Sequence, residues 1–132
     1  MVGVIWLIQI VHYPLFNRVG EEGFTQYEAA HTTRITLVVM PLMLVEAITA
    51  LLLALQPPPG ISTALMWGAL GLVVVVWGST FFIQVPAHTR LSVGFDADAY
   101  RTLVDTNWIR TIAWSLRGAI MLGVVVHLLD KA

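Results

Sequence analysis

Apolar residues along this chain come in long blocks, and the polar residues are gathered between them. The blocks lie at about residues 1–16, 35–55, 61–85 and 111–129. Between Arg34 and Arg90 the only formally charged residue is Glu46. About 20 apolar residues are needed for a helix to cross a hydrocarbon core about 30 Å thick, and the last three blocks meet that length. Gln56-Pro57-Pro58-Pro59-Gly60 divides the two central blocks. Three prolines and a glycine cannot continue a helix, so a tight turn is predicted there. The first block reaches only about 24 Å as a helix at 1.5 Å per residue. It has neither a basic leader nor a small-residue cleavage site, so it reads as a span and not as a signal peptide. Such a short span either thins the bilayer locally or has its true start upstream of Met1. In hydrocarbon, backbone groups must be satisfied within each segment, and the alternation of barrel strands is missing. The predicted fold is all-α: one domain over residues 1–132, an integral membrane four-helix bundle.

Composition strengthens this picture. The chain is 58% hydrophobic and 11% charged, with mean hydropathy +0.80, whereas soluble domains average roughly 25% charged residues. So short a chain cannot hide that much apolar surface in a water-soluble core. A soluble domain and a disordered tail are excluded. The absence of cysteine excludes a disulfide scaffold. A net charge of −1 gives no reason to expect nucleic acid. The expected partners are the lipid bilayer and a lipophilic small molecule, with a homo-oligomer or a larger membrane complex as further assemblies.

The segments 17–33 and 87–110 hold nearly all the charges and are expected to extend the second and fourth helices, from Gly23 and Asp96. Four spans put both segments on one face, with Arg18, Arg34, Arg90 and Arg101, and Lys131 on the other. The positive-inside rule then places the charged face in the cytoplasm and both termini on the non-cytoplasmic side, in a bacterial inner membrane. The halves also echo each other. Ile8-Gln9-Ile10 answers Ile83-Gln84-Val85, His12 answers His88, and Pro14 answers Pro86. Arg18, Gly20, Phe24 and Tyr27 match Arg90, Gly94, Phe95 and Tyr100, and His31-x-x-Arg34 matches Asn107-x-x-Arg110. Two helical hairpins in parallel repeat are expected.

The polar residues within the spans carry the candidate chemistry. Asn107, Arg110, Trp114 and Arg117 fall at steps of three, four and three, on one stripe. Tyr27, His31 and Arg34 share another. Gln9, His12 and Tyr13 share a face of the first helix, and Gln84 and His88 flank Pro86. Polar groups in spans face the bundle interior, because facing lipid is costly. These stripes therefore predict a polar chamber just under the charged face. His12, His31 and His88 lie at matching depth, and imidazole is the commonest ligand for transition metals and haem. They are candidate ligands or acid–base groups; the plainer alternative is interfacial histidines bonded to backbone or water, as expected for His127. Arg34 and Arg110 are candidates to stabilise an oxyanion, and Gln9, Tyr13, Tyr27, Gln84, Asn107 and Trp108 to bind substrate. Glu46 and Arg117 lie roughly 15 Å and 9 Å below the charged face at 1.5 Å per residue. They are expected either to form an ion pair between the second and fourth helices or to leave Glu46 as a proton acceptor.

Val85-Pro86-Ala87-His88-Thr89-Arg90-Leu91 and Asn107-Trp108-Ile109-Arg110-Thr111 resemble the end of the third helix and the fourth helix of anthrone-oxygenase-like small four-helix membrane proteins. The resemblance covers the second half of the chain. It departs at His88, where that group more often has asparagine, and in Gln9-x-x-His12-Tyr13-Pro14. It implies oxidation of a hydrophobic aromatic substrate by oxygen. The leading functional expectation is a membrane-embedded oxidoreductase or cofactor-binding protein for a lipophilic aromatic or quinone-like molecule. The alternatives are a non-catalytic accessory subunit of a membrane complex and an oligomeric small-anion transporter.

Overall fold

The computed structural model describes residues 1–131, which form helices and turns with no strand. The described residues make four helical rods. The first comprises a short α-helix (Val2–Leu7), a π turn (Ile8–His12) and a 3-10 turn (Tyr13–Arg18). The second is one unbroken helix, Glu21–Leu55. The third runs from Thr63–Ser79 through a π turn (Thr80–Gln84) into Val85–Leu91. The fourth is Ala97–Leu129.

Prolines account for both π turns. A proline lacks the N–H, and its ring crowds the carbonyl four residues earlier. Those carbonyls belong to Ile10 for Pro14 and to Phe82 for Pro86, and each lies inside a π turn, where the wider coil relieves the clash. Gln9 and Gln84 sit in these turns and are both buried.

The second rod begins at Glu21 and not at the expected Gly23. Gly20 makes the reversal with φ 83, a conformation that glycine adopts freely, and Glu21 and Glu22 follow in the first turn, where negative charge favours the helix dipole. Asp96 caps the fourth rod, accepting from the backbone of Asp98 at 2.9 Å and of Ala99 at 3.0 Å. Arg90 Nη2 donates to its other oxygen at 2.6 Å. The Ala99 N–H first, and then the Arg90 guanidinium, hold this carboxyl below the usual carboxylate range.

The fourth rod packs on the first and third, and the third packs on the second. The larger core lies toward the charged segments and includes Phe16, Phe24, Leu91, Leu103 and Trp114; a smaller cluster of Ala54, Met66 and Val124 closes the other end. Large apolar side chains such as Leu37, Leu122 and the 83% exposed Phe82 cover the outside. The second, third and fourth rods are long and apolar enough to cross a membrane. The first is not among them; its coil carries it roughly 25 Å at 1.5 Å per residue.

The first and fourth rods meet closely at Gly118, where an added Cβ would lie 2.7 Å from Val2 Cγ2. Valine is short and stiff, so the rod itself must shift. Overpacking of this kind costs about 1–3 kcal/mol. Gly118→Val is expected to lower the melting temperature in detergent, and Val2→Ala in the same chain to recover most of the loss. A Gly118→Val protein that melts like the parent would show that this approach does not matter.

Candidate functional site

At the charged end of the bundle, side chains from all four rods join in one hydrogen-bonded network. Its hub is Arg110, 6% exposed. Its Nε and Nη2 both donate to Asn107 Oδ1, at 3.0 and 2.5 Å. Nη2 also reaches Tyr13 Oη at 3.2 Å and Gln84 Oε1 at 3.4 Å, and Nη1 reaches Thr80 Oγ1 at 3.5 Å. Behind the hub, Asn107 Nδ2 donates to Gln9 Oε1 at 2.8 Å, and Gln9 Nε2 donates to the Val104 carbonyl at 3.2 Å. Gln84 Nε2 donates to Thr106 Oγ1 at 2.8 Å. The glutamines in the two π turns thus tie the first and third rods to the fourth. Among the described residues, no carboxylate pairs with Arg110. It is a buried cation whose protein partners are all neutral.

Beyond Tyr13 the network changes character. Tyr13 Oη lies 3.2 Å from His88 Nε2, and His88 Nδ1 lies 2.5 Å from Glu28 Oε1. Glu28 is 0% exposed. His12 Nε2 and His31 Nδ1 face each other at 2.7 Å. The His31 ring is 4.6 Å from that of His12 and 5.3 Å from that of His88, centre to centre. Two buried polar atoms here have no protein partner: Glu28 Oε2 and His31 Nε2.

A cavity of about 400 Å³ adjoins this network and is lined from all four rods. Ile5, Ile8, Ile35, Val39, Met40 and Met43 make most of its wall apolar, while Tyr13, Gln84, His88 and Arg110 give it one polar side. Trp114 forms part of the wall and donates to Glu46 Oε2 at 2.6 Å, and Arg117 Nη1 donates to Glu46 Oε1 at 3.0 Å. A separate recess of about 280 Å³ is lined by His12, Tyr27, His31 and Arg34, together with Ala30, Ile35 and Val38.

The candidate residues therefore divide. Tyr13, Gln84, His88 and Arg110 meet at the cavity. Gln9 and Asn107 stand behind it and fix Arg110 from the rear, so they orient the hub and do not line the space. His12, His31, Tyr27 and Arg34 belong to the other recess. Trp108 meets neither: it is 39% exposed and stacks edge-on against Trp6, with ring centres 5.6 Å apart. The three imidazoles gather, but their nitrogens are turned on one another, on Tyr13 and on Glu28 instead of converging on a point. Among the described residues, no group of three or more His, Cys, Asp or Glu side chains is placed to hold a metal ion. Glu28 is hard to pick out in the sequence because it lies in a charge-rich segment. Its signal was spacing: Phe24, Glu28 and His31 follow at steps of four and three, on one helical face.

Comparison with known protein families, with characterised proteins and with solved structures finds no match to this chain.

Proposed function

We propose that the protein is an integral membrane four-helix bundle that takes a lipophilic aromatic or quinone-like molecule from the bilayer into the cavity and holds its oxygen against Arg110, Tyr13 and His88. The observation that carries this reading is the guanidinium of Arg110 at the edge of an apolar cavity with no carboxylate to neutralise it. A buried charge is tolerated when paired, and a phenolate, enolate or reduced-quinone oxygen would supply the missing partner. Preorganised donors aimed at such an oxygen stabilise developing negative charge, which is the requirement for oxidising a phenolic ring. The apolar outer surface fits a lipid environment. The arginines beside the site favour a cytoplasmic charged face and both termini outside, in a bacterial inner membrane. A π turn in each odd-numbered rod, followed by a positive-φ glycine at Gly20 or Gly94, supports a duplicated hairpin.

The test uses purified protein in lipid nanodiscs, titrated with 1,4-naphthoquinone and 1-naphthol. Trp114 lines the cavity, so saturable quenching of tryptophan emission is expected. Val39→Phe places a ring inside the cavity and is expected to weaken both ligands at least tenfold. Quenching that never saturates, or that Val39→Phe leaves unchanged, would remove the cavity from the account.

A further inference from the structure

We propose that the Tyr13–His88–Glu28 series and the His31–His12 pair form a proton path that joins the cavity to the His12–Arg34 recess, so that a phenolic ligand loses its proton on binding. The inference rests on the cavity being a ligand site and adds how that ligand is charged. Its basis is geometric. Tyr13, His88 and Glu28 form an unbroken series of contacts leading away from the cavity, at 3.2 and 2.5 Å. His31 and His12 form a second series, at 2.7 Å, that ends in the recess. The two series end at Glu28 Oε2 and His31 Nε2, both buried without a protein partner. They belong to side chains three residues apart on one helix, which lie on neighbouring turns. An unpartnered buried acceptor is costly, and one water bound between these two would satisfy both.

The path conserves protons at every step. The ligand hydroxyl gives its proton to Tyr13 Oη as Tyr13 gives its own to His88 Nε2. His88 Nδ1–H passes to Glu28 Oε1. The carboxylic acid then turns about its Cγ–Cδ bond, which brings the protonated oxygen to the bridging water, and through that water a proton passes to His31 Nε2. His31 Nδ1–H moves to His12 Nε2, and His12 Nδ1 releases a proton to water in the recess. The ligand is left as an oxyanion beside Arg110, and no electron has moved. Histidine suits this work because each ring accepts at one nitrogen while donating at the other. The other charged group lining the recess is Arg34.

The experiment mixes 1-naphthol with nanodisc protein in weak buffer and follows naphtholate absorbance together with a pH indicator. The parent protein is expected to form naphtholate and release one proton in the same phase. His31→Ala should slow that phase at least tenfold, and added imidazole, entering the adjoining recess, should restore it. Glu28→Gln should slow it without rescue. Binding of 1,4-naphthoquinone, which has no hydroxyl proton, verifies that each variant is folded with its cavity intact; a His31→Ala protein that fails this check is replaced by His12→Phe, with the same slowing expected. Naphtholate formation at the parent rate in both histidine variants would overturn the path while leaving the cavity reading in place. Slowing that imidazole does not relieve in His31→Ala would also overturn it. Failure of the parent to bind either ligand would overturn both.

Discussion

Arg110→Met is expected to bind 1-naphthol roughly 10- to 100-fold more weakly than the parent, because a hydrogen bond to a charged group is worth about 1.5–3 kcal/mol and about 1.4 kcal/mol corresponds to a factor of ten. Methionine fills most of the volume, so the loss reports the charge and its donors. The pH dependence separates this effect from general damage. The parent prefers the naphtholate anion, and its affinity for total naphthol rises as pH rises toward the ligand's own pKa. In Arg110→Met the preference reverses, since an oxyanion would then be buried with no cation, so affinity stays level below the ligand's pKa and falls above it. Arg110→Lys keeps a charge but lacks the planar fork that grips Asn107 Oδ1 through Nε and Nη2. An intermediate affinity with the parent's direction of pH dependence is expected there. Isothermal titration in nanodiscs at several pH values measures all three. Equal affinities across the series would mean that Arg110 braces helices and meets no ligand.

Much of the fold was legible because its determinants are local. Three prolines and Gly60 force the central turn, and long uncharged blocks admit no element other than helices. The stripe Asn107–Arg110–Trp114–Arg117 lies on one regular helix, and the 3.6-residue period carried it correctly: Asn107 meets Gln9, Arg110 and Trp114 reach the cavity, and Arg117 reaches Glu46. The first rod was harder. Regular helical spacing puts Gln9, His12 and Tyr13 on one face, yet Gln9 turns to the fourth rod, Tyr13 to the cavity and His12 to His31. The π turn at Ile8–His12 breaks the period there, and nothing in composition marks it beyond Pro14. Trp108 lies away from the cavity for a different reason. Neighbours in a helix point about 100° apart, so with Asn107 buried inward Trp108 must lie toward the flank, where it meets Trp6. Glu28 was hidden by its surroundings. A charge among Glu21, Glu22 and Arg18 looks like solvated surface, and only the covering residues Phe16, Phe24 and Leu91, brought together by tertiary packing, seal that end of the bundle.

Glu46 and Arg117 supply the largest expected effect on stability. Both side chains are largely buried, 13% and 11% exposed, and bonded at 3.0 Å. Removing one member of a buried pair costs about 3–5 kcal/mol, because the other charge is left without compensation, while replacing both with apolar residues is often close to neutral. Glu46→Ala should therefore lower stability by about 3 kcal/mol or more, stranding Arg117 and depriving Trp114 Nε1 of its acceptor. Glu46→Leu combined with Arg117→Met should recover most of that loss. The indole N–H stays unpartnered in both proteins, so its contribution cancels in the comparison, and the recovery combines relief of the stranded Arg117 charge with the apolar packing that the two replacements add. Together with the Trp114–Glu46 hydrogen bond, the pair ties the second rod directly to the fourth, helices that are otherwise bridged by the third rod. Reversible unfolding in mixed micelles, followed by circular dichroism, gives the three free energies. If the double variant is as unstable as Glu46→Ala, the two charges do not stabilise each other, and Glu46 then acts through Trp114 and the cavity wall.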